Sequence, residues 1–312
     1  MVLEPLQAYK QIYFSNHKLN YYDKMHLTLM TDNQLNLFSE YNESFETGIK
    51  LLSELKFNEA KNAFTKVLEL NPDDDEVHKA LELITFWKAI TEHCFKLPEK
   101  ESVHYFHELL FQFNFAKSTA DKTLQLALRV FGLNLMMKAD IFELSNGLDI
   151  ADICIEIKKE NLGVFYLENR LIRNTYDSLL LSRIADLQWT LNDTEKATKN
   201  YTLALLTEHD KINIKKIKHE NLKKIIEKHG TEMACAYAFL NGELPFPKCE
   251  NALNIKCLTA CQLVMKEKQV TIAENKNETI KLRKQLKQLD EEFFRVFMQR
   301  KVFFNKILYD VF

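Results

Sequence analysis

Apolar residues recur three and four positions apart along most of this chain, the period of a helix face, and almost nowhere alternate as strands do. From Ser44 to Leu55 they fall at Phe45, Ile49, Leu51, Leu52 and Leu55. From Asn58 to Leu70 they fall at Ala60, Ala63, Phe64, Val67 and Leu68, and Pro72 ends that helix by disfavouring the α conformation at Asn71. "DDDEVHKALELITFWKAITEHCFKL" opens on acidic residues, which the helix dipole favours at an N-terminus, and "PEKESVHYFHELLFQFNFAK" starts on Pro98. In "DKTLQLALRVFGLNLMMKADIFEL", Leu124, Leu128, Phe131 and Leu135 share one stripe. Lys211 to Lys228 reads as a basic helix, "TEMACAYAFLNGELPFP" as a short helix and a loop, and 250–268 and 275–310 as the last helices.

Gly48 is out of place in this pattern, because glycine inside a helix costs roughly 0.5–1 kcal/mol relative to alanine. Close approach of two helices compensates, and Ala60, twelve residues on across a short turn, is placed as its partner. Composition sharpens the picture: Gly 6 and Pro 5 compare with about 20 and about 15 at average usage. Hairpins, strand-to-helix turns and phosphate loops all need glycine. The sequence therefore predicts an all-α chain, with a 46% hydrophobic fraction ample for a core.

Ser44-x2-Thr47-Gly48-x2-Leu51, then Ala60-x3-Phe64, then Pro72, resembles the tetratricopeptide repeat, a 34-residue helix–turn–helix unit. The small–small, Ala–Phe and Pro spacings match; the first aromatic and the tyrosine of the repeat do not. A second copy runs Leu181-x2-Ile184-Ala185-x2-Gln188, then Ala197-x3-Tyr201-x2-Ala204, with His209 for the proline. A third, weaker copy runs Leu135-x2-Lys138-Ala139-x2-Phe142, then Ala151-x3-Ile155, with "SNGLD" as its turn. The resemblance covers roughly a third of the chain. It implies an α–α superhelix, a tetratricopeptide-like solenoid, with a helical cap over 1–42, repeats over 43–245 and C-terminal helices over 246–312. Gly48, Ala60, Phe64, Ala139, Ala151, Ala185, Ala197 and Tyr201 would pack between repeat helices.

By the same resemblance, first helices line a concave face that binds an extended peptide or an amphipathic helix of a partner protein. Here that face would present Phe45, Ile49 and Leu52, then Met136, Asp140 and Glu143, then Ser182, Asp186 and Trp189. Phe45, Ile49, Ser182 and Asp186 stand where chaperone-binding members carry a lysine–asparagine carboxylate clamp. An apolar and acidic groove suits a hydrophobic or basic segment instead. The expected role is a non-catalytic adaptor or assembly scaffold, without cofactor or metal.

The last helix differs from the rest. Leu282, Leu286, Leu289, Phe293, Val296, Phe303 and Ile307 form a heptad-like seam interrupted only by Arg300. Phe294, Phe297, Phe304, Tyr309 and Phe312 broaden it. A long capping helix lying back on the solenoid accounts for the seam; a coiled-coil homodimer or a docking helix for a partner is the sharper reading.

Local charge and chemistry change the picture little. Net charge is −2, so no global field points to nucleic acid or anionic membranes. The 211–228 lysines (Lys211, Lys215, Lys216, Lys218, Lys223, Lys224, Lys228) offer an alternative function, binding nucleic acid or a signalling peptide, but stacking aromatics are missing there. No Gly-rich phosphate loop, G-x-S-x-G elbow or H-E-x-x-H helix occurs. His93, Cys94, His104 and His107 are the best metal-site suggestion, an all-α metalloenzyme being the least favoured class, and complete no paired-ligand motif. Cys257 and Cys261, with Cys249 before them, read as small core hydrophobes without a fourth ligand. Six scattered cysteines, no basic-then-apolar start and no 18-residue apolar run fit a cytoplasmic protein with no membrane segment.

Overall fold

The structure, a computed structural model, describes residues 32–310 apart from 174, 250, 273 and 274. Thirteen α-helices and two 3-10 turns make up the described residues, with no β-strand beyond an isolated bridge between Glu143 and Asp149. The chain divides into two compact units, at Gly132 and Leu133. That division differs from the expected boundaries near 43 and 246: the first helix runs unbroken from Asp32 to Ser53, and the last three helices share the core of the second unit.

The first unit contains α1 (Asp32–Ser53), α2 (Phe57–Leu70), α3 (Asp75–Cys94), α4 (Glu99–Gln112) and most of α5 (Thr119–Lys138). Gly48 does the packing job expected of it. A Cβ at Gly48 would lie 2.7 Å from the ring of Phe64, whose side chain is wholly buried, so α1 and α2 close on that ring. Asp74 caps α3 by accepting from the backbone N–H groups of Glu76 and Val77. Trp87 sits under Phe106, Phe113 and Phe115 with ring centroids 5.2 to 5.9 Å away.

The second unit contains α6 (Ile150–Glu156), α7 (Glu160–Leu171), α8 (Ser178–Thr190), α9 (Thr194–Leu206), 3-10 turns at His209–Lys211 and Ile214–Lys216, α10 (Glu220–Asn241), α11 (Ile255–Ile272), α12 (Lys276–Leu289) and α13 (Glu291–Asp310). Two expectations change here. Residues 211–228 are not one basic helix: a 3-10 turn and extended residues occupy 212–219, and α10 begins only at Glu220 before kinking at Gly230. The terminal helix is two helices, broken where Asp290 turns extended (φ −159°, ψ 109°) and accepts from Phe293 N–H as the cap of α13. Leu282, Leu286 and Phe293 of the seam, and Phe297 beside it, are buried inside the unit, and Arg300 donates to the carbonyl of Leu240 at 2.7 Å. The side chains of Phe303, Phe304, Ile307, Tyr309 and Phe312 lie outside the described residues, as do residues 1–31 of the expected N-terminal cap.

Three helix hairpins share one turn. Leu55, Lys158 and Asn192 each adopt a left-handed φ, of 54°, 56° and 61°. The next N–H bonds back five residues in every case: Lys56 to Leu51 O at 3.0 Å, Lys159 to Cys154 O at 2.8 Å and Asp193 to Gln188 O at 2.9 Å. This is the six-to-one closure of a Schellman end, run directly into a second helix. Small residues stand seven before and five after each turn: Gly48 and Ala60, Ala151 and Gly163, Ala185 and Ala197. Thirty-four residues separate Ala151 from Ala185 and Gly163 from Ala197.

The third expected copy therefore shifts by one helix. Ala139 does not open a hairpin with Ala151, because α5 ends at Lys138, Asp140 turns left-handed (φ 53°) and the chain runs through the Glu143–Asp149 bridge. Ala151 is instead the first small residue of the α6–α7 pair. A Cβ on its partner Gly163 would lie 2.9 Å from Leu187 Cδ1 and 3.0 Å from Cys154 Sγ.

Candidate functional site

The first helix of the α8–α9 hairpin is wrapped. Arg183 is 1% exposed, and around it converge the capping residues of α6, an aspartate of its own helix and the segment that follows α9. Asp149 and Asp152 form a capping box that starts α6. Arg183 Nη2 reaches Asp149 Oδ1 at 3.1 Å and Asp152 Oδ1, while Nε lies 2.9 Å from Asp149 Oδ2 but outside hydrogen-bond alignment. Its Nη1 donates to Asp186 one turn on, and at 3.4 Å to the carbonyl of Lys216. Lys216 Nζ completes the cluster, 2.6 Å from Asp149 Oδ2, 2.8 Å from Asp152 Oδ2 and 2.6 Å from Gly147 O.

Asp186 Oδ1 accepts from Tyr201 Oη and, at 2.9 Å, from the backbone N–H of Lys218. Trp189 stacks on His219 with centroids 4.0 Å apart. One face of α8 is thus covered by residues 216–219 of the same chain, held by two hydrogen bonds to that segment's main chain, a stacked ring and an ion cluster. Three carboxylates meet two cations. Burial pushes the Asp186 carboxyl up to about 6, with Arg183 opposing. Burial also opposes the charge on Arg183, but Asp186, Asp149 and Asp152 hold its proton more firmly than usual. Asp152, half covered, is drawn below the usual carboxylate range by Arg183 and Lys216. Burial lowers His219, whose Nδ1 accepts from Leu222 N–H at the start of α10.

This corrects the expected binding face. Ser182 and Asp186 are buried at 2% and 1%, and Leu52 and Met136 are wholly buried, so none of the four is offered to a partner. Trp189 is half-buried under His219. Asp140 is exposed but engaged, with Arg170 Nη1 at 2.6 Å and Tyr166 Oη at 3.1 Å. Glu143 is exposed on the Asp149 bridge. The residues expected to pack, Gly48, Ala60, Phe64, Ala139, Ala151, Ala185, Ala197 and Tyr201, are all buried.

α1 is open at Leu37 and Phe38, which are 52% and 50% exposed, whereas Tyr41, donating to Asp74 and stacked on Phe45, is half-buried, as are Phe45 and Ile49. Phe38, Tyr41, Phe45 and Ile49 follow each other at steps of three and four, with Leu37 four before Tyr41, while Glu40, Glu43 and Glu46 lie off that stripe and are exposed. The result is an apolar stripe bordered by carboxylates.

Elsewhere chemistry is sparse. His107 is buried with Nε2 3.2 Å from Gly132 O, and burial lowers its basicity; His93 and His104 are exposed, and the histidines do not converge. Lys216 is spent in the ion cluster and Lys211 pairs with Glu208. Cys235, Cys257 and Cys261, all wholly buried, bring their sulfurs within 4.8 Å of one another, and no further His, Cys, Asp or Glu joins them among the described residues. Cys249, expected beside the latter two, stands apart. Cys235 and Cys261 donate toward Cys257, and with the Ala236 N–H they hold the Cys257 thiol well below its ordinary range. The same contact to Cys257 pushes Cys235 up.

Among the described residues, no helix is long and apolar enough to cross a membrane. Compared with protein-family models, with curated proteins and with solved structures, the chain matches none.

Proposed function

We propose that this chain is a non-catalytic adaptor of tetratricopeptide-like helix hairpins that docks an amphipathic, basic-flanked segment of a partner protein on α1. The apolar stripe of α1, exposed at Leu37 and Phe38, half-buried at Tyr41, Phe45 and Ile49, and accompanied by exposed Glu40, Glu43 and Glu46, carries this reading. Exposed apolar surface rimmed by charge of one sign favours a segment with matching apolar residues at helical spacing and opposite charge. The shared turn of the three hairpins and the 34-residue offset of two of them support the repeat character.

The test is capture from the native extract by the full chain, with cross-links mapped by mass spectrometry. Leu37→Glu/Phe38→Glu is compared with wild type and with a chain ending before Asn277, circular dichroism verifying that each folds. A partner cross-linked to α1 and lost only in the double variant supports the reading. A partner lost only on truncation moves the function to the terminal helices. Partners that persist in every folded variant sink both.

A further inference from the structure

We infer that Cys235, Cys257 and Cys261 form a three-sulfur binding site for a soft monovalent cation of the copper(I) class. This is independent of the adaptor reading: it concerns the interior of the second unit, not α1.

The chain brings these three sulfurs together by construction. Cys257 and Cys261 stand one turn apart on α11 and share a face; Cys235 arrives from the half of α10 beyond the Gly230 kink. Asn254 fixes the two helices against each other. Its Oδ1 accepts from Cys257 N–H at 3.2 Å, while its Nδ2 donates to Glu232 O at 2.6 Å and Leu205 O at 3.2 Å. Cys257 lies in the first turn of α11, where the helix dipole favours an anionic sulfur, and its Sγ accepts from Ala236 N–H at 3.1 Å. The surroundings are otherwise apolar, with Ala234, Ala236, Ala260 and Val264 buried around the cluster.

Geometry and donor type select the ion. A planar three-coordinate centre with metal–sulfur bonds of about 2.3 Å needs sulfurs about 4 Å apart. The observed limit of 4.8 Å leaves a contraction of less than one bond length to be made on loading. Thiolates select copper(I), zinc and iron–sulfur centres. Zinc in a buried structural site takes four ligands, and no fourth donor of the usual kinds converges here among the described residues. Copper(I) is satisfied by three soft sulfurs and needs no water in an open position. Binding forms copper–sulfur bonds and releases to solvent the proton of each thiol that ligates; no electron is transferred. The other two buried cysteines, Cys94 and Cys154, join no such group.

The experiment loads the reduced, full-length chain anaerobically with copper(I) in competition with a chromophoric copper(I) chelator, and separately with zinc. One equivalent of copper(I), bound at least tenfold more tightly by wild type, Cys94→Ser and Cys249→Ser than by Cys235→Ser, Cys257→Ser or Cys261→Ser, is the expected result. Equal binding by all variants, or no binding by wild type, overturns it. Because a buried serine can prevent folding, X-ray absorption of the loaded wild type supplies a second, independent measurement. Three sulfur neighbours support the site, and two or fewer, or a four-coordinate zinc centre that excludes copper, refute it.

Discussion

In the α8–α9 hairpin every residue of the first helix from Leu180 to Gln188 is buried, whereas in the α1–α2 hairpin Leu37 and Phe38 stand about half exposed. The two hairpins share their turn, their pair of small residues and an aromatic four positions after the second of these, Phe64 in one and Tyr201 in the other. They differ in what meets the first helix. On α8 it is residues 216–219, seated through Lys218 N–H, His219 and Lys216; on α1, Phe45 packs on Phe64 and Tyr41 bonds Asp74, while Leu37 and Phe38 meet solvent near carboxylates. A shared hairpin therefore does not fix a shared use of its face. On α8 the face is a structural interface with its own chain, and polar residues there, Arg183 and Asp186, serve folding.

The strongest way to break that contrast is to remove the cation at its centre. Arg183→Met leaves Asp149 and Asp186 buried without their main counter-charge, a change that costs about 3–5 kcal/mol for broken buried pairs. Urea unfolding of the second unit's signal should shift by that amount, and limited proteolysis should open the chain between 209 and 219. An unchanged midpoint would mean that the cluster is solvated and the α8 face only loosely covered.

Asp186 sharpens the same point through pH. Its folded pKa of about 6 stands above the 3.8 of the unfolded chain. Stability from this group is complete below 3.8 and is lost as pH rises through about 6. Asp186→Asn keeps an acceptor for Tyr201 and Lys218 and removes the titration. The variant should gain on wild type between pH 4 and pH 7 by on the order of 3 kcal/mol. A constant difference across that range would show that Arg183 keeps Asp186 ionised throughout.

Part of this was legible in the sequence, and the residues show why. Gly48 announced a close approach, because a helix interior gives glycine no other use. The spacing could not say that the Phe64 ring comes nearest to it, since that depends on how far the two helices slide past each other. The twelve-residue interval found Ala151 but assigned it to the wrong partner: small residues at equal intervals do not reveal which one follows a turn. Ala151 to Ala185 at 34 residues was the signal that fixes the register. Arg183 and Asp186 inside "SLLLSRIADLQW" were readable as a charged pair within an apolar run, the mark of a buried pair rather than a solvated face. Cys235 was not readable beside Cys257 and Cys261, because only the packing of α10 on α11 brings it there.

A smaller effect separates the hairpins by their glycines. Alanine at Gly48 meets the Phe64 ring, and alanine at Gly163 meets Leu187 and Cys154, all at 2.7 to 3.1 Å. Each substitution overpacks a buried contact and should cost about 1–3 kcal/mol by chemical denaturation. Gly163 has neighbours from two helices, Cys154 on α6 and Leu187 on α8, and Gly48 has one ring. Gly163→Ala should therefore be the worse of the two, and the reverse order would mean that Phe64 is the more rigid wall.

The smallest stability change is expected where the functional change is greatest. Phe38 is 50% exposed on α1, so Phe38→Glu removes little buried surface and should move the unfolding midpoint by no more than about 0.5 kcal/mol. Trp189→Glu on α8 strips the stack from His219 and puts a carboxylate beside a covered face, and should cost several times more. If the α1 stripe is a docking surface, its variant folds as wild type and loses its partner, while the α8 variant loses stability first. Should Phe38→Glu prove as destabilising as Trp189→Glu, the stripe is already covered in the free protein, and the two hairpins are finished in the same way after all.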